Sequence, residues 1–321
     1  MSTFSGAYNP QVLRTFSLAY LNEQTSFINN LVAPIVPVKL ISAKIASYGA
    51  DSIRLVNTIR ATGANSNQVD LTVSLATHYT LEDHAVHDYV PYEDYENAEK
   101  PVDPQADCVE HLTELIMVAK EYSLATAAQA TATYTHSNYT VLSGTSKWSD
   151  KSNSDPINDI ITGILAVRAK SMKDPNTLIL AYDAMLTLMY HPKIRDLLGA
   201  NETMTAQKLM DVLKSAFPGI TNILVGKAQY NSANKGATMV IGDLWTDSAI
   251  IAYIEQRPKL KSRTFALTYQ KSDEQMKVDV VKKNNNNQDL VDRNADFFRV
   301  NDKYDQVIVD DACAYLISDV I

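Results

Sequence analysis

Cysteine is nearly missing from this 321-residue chain: only Cys108 and Cys313 occur, far apart and in no metal or redox spacing. Neither is needed for a bridge, and the pair fits a reducing compartment. Glycine is scarce at ten residues, and neither G-x-x-x-x-G-K-[ST] nor G-x-G-x-x-G occurs, so nucleotide use is not expected. No run of about 18 apolar residues appears, so no segment is expected to span a membrane. The opening residues, MSTFSGAYNPQVLRTF, lack the basic stretch followed by an apolar one that marks a secretory signal. Basic clusters are absent too. The formal charge is -8, whereas a protein that grips phosphates needs a positive surface.

What is present is an ordinary folded composition, 45% hydrophobic and 21% charged, in a chain too long for one compact core. Two lobes or an elongated shape are expected. The negative excess is concentrated: residues 78–99, HYTLEDHAVHDYVPYEDYENAE, hold seven Asp/Glu and no Lys or Arg.

Early in the chain, FINNLVAPIVPVKLIS sets Pro34 and Pro37 inside a valine/isoleucine run. Proline cannot donate to a sheet ladder, so this reads as an extended edge segment. SIRLVNTIR and VDLTVSLATHY then flank a turn marked by Gly63, Asn65 and Asn67, which predicts a long hairpin. A lone ribbon is marginal in water and wants a partner surface.

The clearest long helix spans 103–132, with Asp103 as N-cap and Pro104 in the first turn. Cys108, Leu112, Leu115, Ile116 and Ala119 form its apolar stripe, and its Ala/Thr-rich tail is expected to fray or to lie close against another backbone. The most informative block is 147–194, KWSDKSNSDPINDIITGILAVRAKSMKDPNTLILAYDAMLTLMYHPKI. Asp155-Pro156 opens an amphipathic helix, Asp174-Pro175-Asn176 punctuates it, TLILA reads as a buried strand, and a second helix runs to His191-Pro192. Gly199 is a plausible C-cap for that second helix. A helix over 205–217 follows, stopped by Pro218-Gly219, then strands in ITNILVGKA, ATMVIGDLW and SAIIAYI. RTFALTYQ and KVDVVKK flank a turn near Ser272-Asp273, Asn284–Asn287 reads as a loop tip, and the last 25 residues alternate apolar and polar.

This order resembles the major capsid proteins of tailed double-stranded-DNA bacteriophages. The resemblance rests on residues 147–194, on NILVGKAQYN with GATMVIGDLW, and on the closing RVNDKYDQVIVDDACAYLISDVI, and it covers nearly the whole chain. It implies an α+β tailed-phage major capsid fold. The N-terminal arm and first peripheral strand would occupy 1–43, the extended β-hairpin loop 44–85, and the peripheral domain with its long spine helix 86–146. The axial domain, helices around a central sheet, would occupy 147–256, and 257–321 would return to the peripheral domain.

The same resemblance implies a structural subunit, not an enzyme, that assembles into hexamers and pentamers of an icosahedral shell. Its setting would be the virion capsid, built in the host bacterial cytoplasm around DNA held without sequence-specific binding. Partners implied are a portal protein, a separate scaffolding protein and a possible cement protein, with no membrane and no cofactor. A separate scaffold is expected because the spine helix begins about one hundred residues from Met1, leaving no room for a leading segment of domain size. Some relatives weld subunits through a lysine of the extended loop. Residues 45–99 contain no lysine, so noncovalent contacts are expected.

In the family this loop lies across the neighbouring subunit. The inter-subunit contacts expected here are Arg54, Arg60, Asn65 and Asn67 on the hairpin, with Glu82, Asp83, Asp88 and Tyr92 in the acidic return. Arg suits carboxylates at interfaces, although two solvent-facing strand positions are the plainer reading of Arg54 and Arg60. His78, His84 and His87 lie near Glu82, Asp83 and Asp88 but match no zinc spacing, so no metal is assigned. Trp148 is read as packing at the domain junction. An encapsulin-like compartment is the alternative within the fold, and a metal-dependent hydrolase the alternative of another class.

Overall fold

Two Asp-Pro helix starts set the frame of the molecule. The computed structural model describes residues 26–321 apart from 46, 49–54, 57, 61, 64, 66–72, 75–76, 97–102, 198–203, 235, 260–261, 273–275 and 284–286. A short helix α1 (Asn29–Val32) leads to β1 (Ile35–Val38). The hairpin follows as β2 (Ser42–Lys44), β3 (Ser47–Tyr48), β4 (Val73–Ser74) and β5 (His78–Thr80). Next come β6 (Glu82–Pro91), α2 (Tyr92–Glu96) and the long α3 (Pro104–Gln129). Asp103 caps α3, its carboxylate accepting from Gln105 N at 3.0 Å, and Pro104 sits where no N–H is needed.

Past α3 lie β7 (Tyr139–Val141), α4 (Pro156–Ser171), β8 (Thr177–Ala181), α5 (Tyr182–Met189), α6 (Pro192–Arg195) and α7 (Ala206–Ala216). Asp155 caps α4 through Asn158 N at 3.3 Å, and Thr205 caps α7 through Lys208 N at 3.3 Å. The chain continues as β9 (Asn222–Gly226), β10 (Gln229–Asn231), β11 (Ile241–Asp243), β12 (Ser248–Ala252), β13 (Ala266–Lys271) and β14 (Lys277–Val281). It ends with α8 (Gln288–Arg293), β15 (Ala295–Ile308) and β16 (Ala314–Ser318).

Two five-stranded sheets organise these elements. In one, β15 is the backbone: β6 lies along one side, β14 and then β13 along the other, with β1 parallel to β13 at the edge. Alternation sets its faces. Phe298, Val300, Asp302 and Tyr304 are buried toward α3, while Phe297, Arg299 and Asn301 turn away. The other sheet runs β7-β16-β12-β8-β9. Its β8 and β12 are buried at every position, the mark of strands covered on both faces, and α4, α5 and α7 pack against it. Gly163 lets α4 approach closely, since a Cβ there would clash with Ile251 Cδ1.

The edge reading of the proline run holds: among the described residues β1 has one neighbour, and it carries Pro37. Two expectations are corrected. Sheet membership does not follow the boundaries at 147 and 257, because β7 and β16 both lie in the β12 sheet; the apolar run of β16 fits a strand with partners on both sides. On α3, Leu115 is 44% exposed, and the buried stripe runs Leu112, Ile116, Lys120, Leu124, Ala128, four residues apart. The Ala/Thr-rich tail takes the second of its two expected courses and packs closely: Leu124, Ala125 and Ala128 are buried in the main core, where small side chains admit close approach. RTFALTYQ and KVDVVKK are strands as expected, β13 and β14, and succeed one another along β15. The Gly199 cap, the turn at Asp273 and Asn284–Asn286 lie outside the described residues.

Candidate assembly interface

The hairpin is rooted before it leaves the body. Ser42–Lys44 pairs antiparallel with His78–Thr80, and Ser47–Tyr48 with Val73–Ser74. At its base Ile45, Tyr79 and Leu81 are buried against Val36, Val38, Leu267 and Tyr269, and the Tyr79 and Tyr269 rings stack at 4.6 Å. Further out, among the described residues, Leu55 is 99% and Ile59 83% exposed. Arg60 and Asn65 are exposed on this same excursion, while Arg54 and Asn67 lie outside the described residues.

The acidic return is a strand, which its composition did not announce. β6 pairs with β15 over ten residues, with Val86 and Val90 packed toward Leu112 and Ile116 of α3. Glu82, Asp83 and Asp88 remain exposed. Tyr92 is engaged within the chain: its hydroxyl donates to Asp296 Oδ1 at 3.1 Å, and Tyr95 donates to Asp296 Oδ2 at 3.4 Å. Burial, reinforced by the Asp296 charge, pushes the Tyr95 hydroxyl up to about 12. His84 stacks on Tyr304 at 4.2 Å, whereas His87 meets Phe297 on the opposite sheet face. The two histidines therefore diverge, and among the described residues no metal-capable cluster forms.

Sequence reasoning missed a pair of buried charges at the junction of the two sheets. Lys120 and Glu121 are adjacent on α3, both buried, and point to different partners. Lys120 Nζ lies 3.4 Å from Asp302 Oδ2 and 4.5 Å from the centre of the Tyr304 ring. Glu121 accepts from Asn29 N at 2.7 Å, Ile28 N at 3.1 Å and Trp245 Nε1 at 2.6 Å. Burial raises its pKa against the pull of these three donors. One carboxylate thereby ties α1, α3 and the loop before β12 together. The four-residue stripe that passes through Lys120 is the one signal that could have found the first of them. Trp148 packs as expected, fully buried, its Nε1 donating to Asp159 Oδ2 at 2.9 Å.

This architecture recurs in proteins of known role. No family model matches the chain. The major capsid protein of Burkholderia phage BcepMu is 29% identical over 253 residues, 79% of this chain and 78% of the relative. That of Pseudomonas phage JBD67 is 27% identical over 267 residues, 81% of this chain and 82% of the relative. The chain is similar to phage major capsid proteins. Among solved structures, a phage-related protein from Bordetella bronchiseptica superposes with a TM-score of 0.72 at 26% identity, covering 97% of each chain. The capsid structure of cyanophage P-SCSP1u (TM-score 0.61, 8% identity, 99% of this chain and 92% of that one) shares the fold. So does the SrpI encapsulin of Synechococcus elongatus, at TM-score 0.54 and 10% identity over 98% of this chain and 96% of that one. The chain thus has a mixed α+β fold that resembles phage capsid structures.

Proposed function

We propose that the chain is the major capsid subunit of a tailed phage, assembling into hexamers and pentamers of an icosahedral shell that encloses double-stranded DNA. Likeness to the BcepMu major capsid protein over four-fifths of the chain carries this reading. The hairpin supports it physically, since Leu55 and Ile59 at 99% and 83% exposure gain burial only on another surface. In this reading the β15 sheet with α3 is the peripheral domain and the β12 sheet the axial one. Arg60, Asn65, Glu82, Asp83 and Asp88 are contact residues, and Tyr92 acts from behind by holding the end of β6. A separate scaffolding protein, a portal and a cement protein are the partners, and assembly takes place in the host cytoplasm. The encapsulin alternative has fold likeness alone, at 10% identity.

Expression of the full chain, followed by sedimentation and negative-stain microscopy, tests the proposal. Closed particles or capsomers are the expected result. A stable monomer of 35.6 kDa at every concentration, with or without added scaffold, overturns it.

A further inference from the structure

The β15 sheet ends in two strands of opposite charge. β6 presents Glu82, Asp83 and Asp88 to solvent, while residues 277–283 expose Lys277, Lys282 and Lys283 beside one acid, Asp279. Lys277 bridges that acid at 2.9 Å, and Lys283 Nζ donates to Asn294 Oδ1 at 2.7 Å.

Alternation fixes which backbone groups are turned outward. Tyr92 N donates to Asn294 O at 2.9 Å, so even-numbered residues of β6 face β15, and Asp83, Ala85 and His87 turn away from it. Tyr89 agrees, because its N–H is spent on Asp88 Oδ1 at 2.8 Å. On the other side of β15 the parity reverses, and even-numbered residues of β13 and β14 turn outward. Upstream that edge is taken: Thr268 N donates to Pro34 O and Ser272 N to Val38 O, where β1 runs parallel. Downstream, among the described residues, no strand pairs with Val278 and Val280, whose side chains are 41% and 45% exposed.

We propose that β6 of a second copy of this chain adds to the open edge of β14, parallel to it, with Lys277 opposite Asp83, Val280 opposite Val86 and Lys282 opposite Asp88. The proposal rests on the shell reading for one premise, that neighbouring copies turn the same face outward. β6 and β14 are both antiparallel to β15 and hence parallel to each other, so copies placed side by side meet along parallel edges. In a parallel ladder an outward residue must face one turned away, which restricts the allowed registers to steps of two. Lys277 and Lys282 have the same spacing as Asp83 and Asp88, so one allowed register aligns both pairs and sets valine on valine. A shift of two one way opposes Asp279 to Asp83; the other way it strands both lysines against Ala85 and Val90. Pairing of like edges is disfavoured. β6 against itself about Ala85 opposes Glu82 to Asp88, and β14 against itself about Val280 opposes Lys277 to Lys283. Charged edges that reject themselves and accept each other produce a heterologous contact, the kind that closes rings.

The test uses the full chain, nitrogen-15-labelled and unlabelled protein being mixed before assembly and treated with a zero-length carbodiimide. Within one chain β6 and β14 stand on either side of β15, about 10 Å apart, beyond such a link. Mixed-isotope peptides joining Lys282 to Asp88 and Lys277 to Asp83 are expected. K282E and D88K should each lower particle yield roughly fivefold, and the double variant should recover most of it. Particles that form without these links overturn the proposal while leaving the shell reading intact, and so do particle yields that the reversals leave unchanged or that the double variant fails to restore. Neither particles nor links overturns both.

Discussion

Replacing Lys120 by methionine should destabilise the subunit strongly, and replacing Asp302 as well should restore most of the loss. The pair is buried, with side chains 7% and 0% exposed and a separation of 3.4 Å. Burial lowers the Lys120 pKa, and Asp302 only partly opposes that, so desolvation outweighs attraction and the pair is no large net stabiliser. Breaking it is a different matter. Methionine keeps the apolar stem over Tyr304 but leaves the Asp302 carboxylate facing Gln270 Nε2 as its remaining side-chain donor. An orphaned buried charge costs about 3–5 kcal/mol, and K120M should lose that amount. In K120M/D302N the site is neutral, the substituted amide oxygen still accepts from Gln270, and the residual loss should be about 1–2 kcal/mol. Urea unfolding of the unassembled chain reads the effect, because both tryptophans, Trp148 and Trp245, are fully buried and report on the fold. A K120M loss below about 1 kcal/mol, or a double variant no more stable than K120M, would refute the reasoning.

Gly226→Ala should lower the urea midpoint by the equivalent of about 3 kcal/mol and shift tryptophan emission to the red. Its Cβ would clash with Trp245 Cδ1, and that ring cannot retreat while Nε1 is held by Glu121; wild-type emission and midpoint would refute this. His191 predicts a pH dependence. Ser154 Oγ donates to Asp150 O at 2.6 Å, so the ring donates from Nε2 to Ser154 and leaves buried Nδ1 without a partner among the described residues. Burial chiefly, helped by Lys193 and Lys151 against Asp155, holds its pKa below the ordinary 6.5. The unfolded ring takes up its proton first, so stability should fall as pH drops through 6.5 and level off once the folded ring titrates. His191→Asn should flatten that slope; a slope unchanged in the variant would assign it elsewhere.

Where local chemistry decides, the fold was legible. Asp103-Pro104 and Asp155-Pro156 start helices because the aspartate accepts N–H groups that a helix leaves unpaired and the proline lacks one to satisfy. Pro37 marks an edge strand for the same kind of reason. The strand in 82–91 was hidden, since its acids and histidines mask a two-residue alternation in which Val86 and Val90 supply the apolar side chains toward α3. Strand partners were hidden as well: nothing local tells β16 to sit between β7 and β12 rather than beside β15. Of the proposed contact residues, Glu82, Asp83 and Asp88 lie on one strand, Arg60 and Asn65 on the excursion of the hairpin, and Tyr92 is bonded to Asp296. Burial of Lys120 and Glu121 depends on partners at 302, 245 and 28–29, which no window around them contains.

Those two neighbours explain how one helix can serve two cores. Successive residues on a helix point about 100° apart, so Lys120 reaches the β15 sheet while Glu121 reaches α1 and Trp245. The N-terminal half of α3 packs Leu112 and Ile116 against Phe298 and Val300, and its C-terminal half buries Leu124, Ala125 and Ala128 in the larger core. Each apolar contact could slide by a rotamer; the charged ones cannot, because any shift strands a buried ion or three buried N–H groups. The helix is therefore held in both rotation and register, and the edges of the β15 sheet are held with it. In the proposed shell, contacts that must repeat at many positions need that rigidity behind them. On this argument Glu121→Ala should impair assembly under conditions that leave the subunit folded, since three buried donors lose their acceptor on the side that fixes α1 to the sheet. A folded Glu121→Ala subunit that assembles at the wild-type rate would separate junction rigidity from assembly.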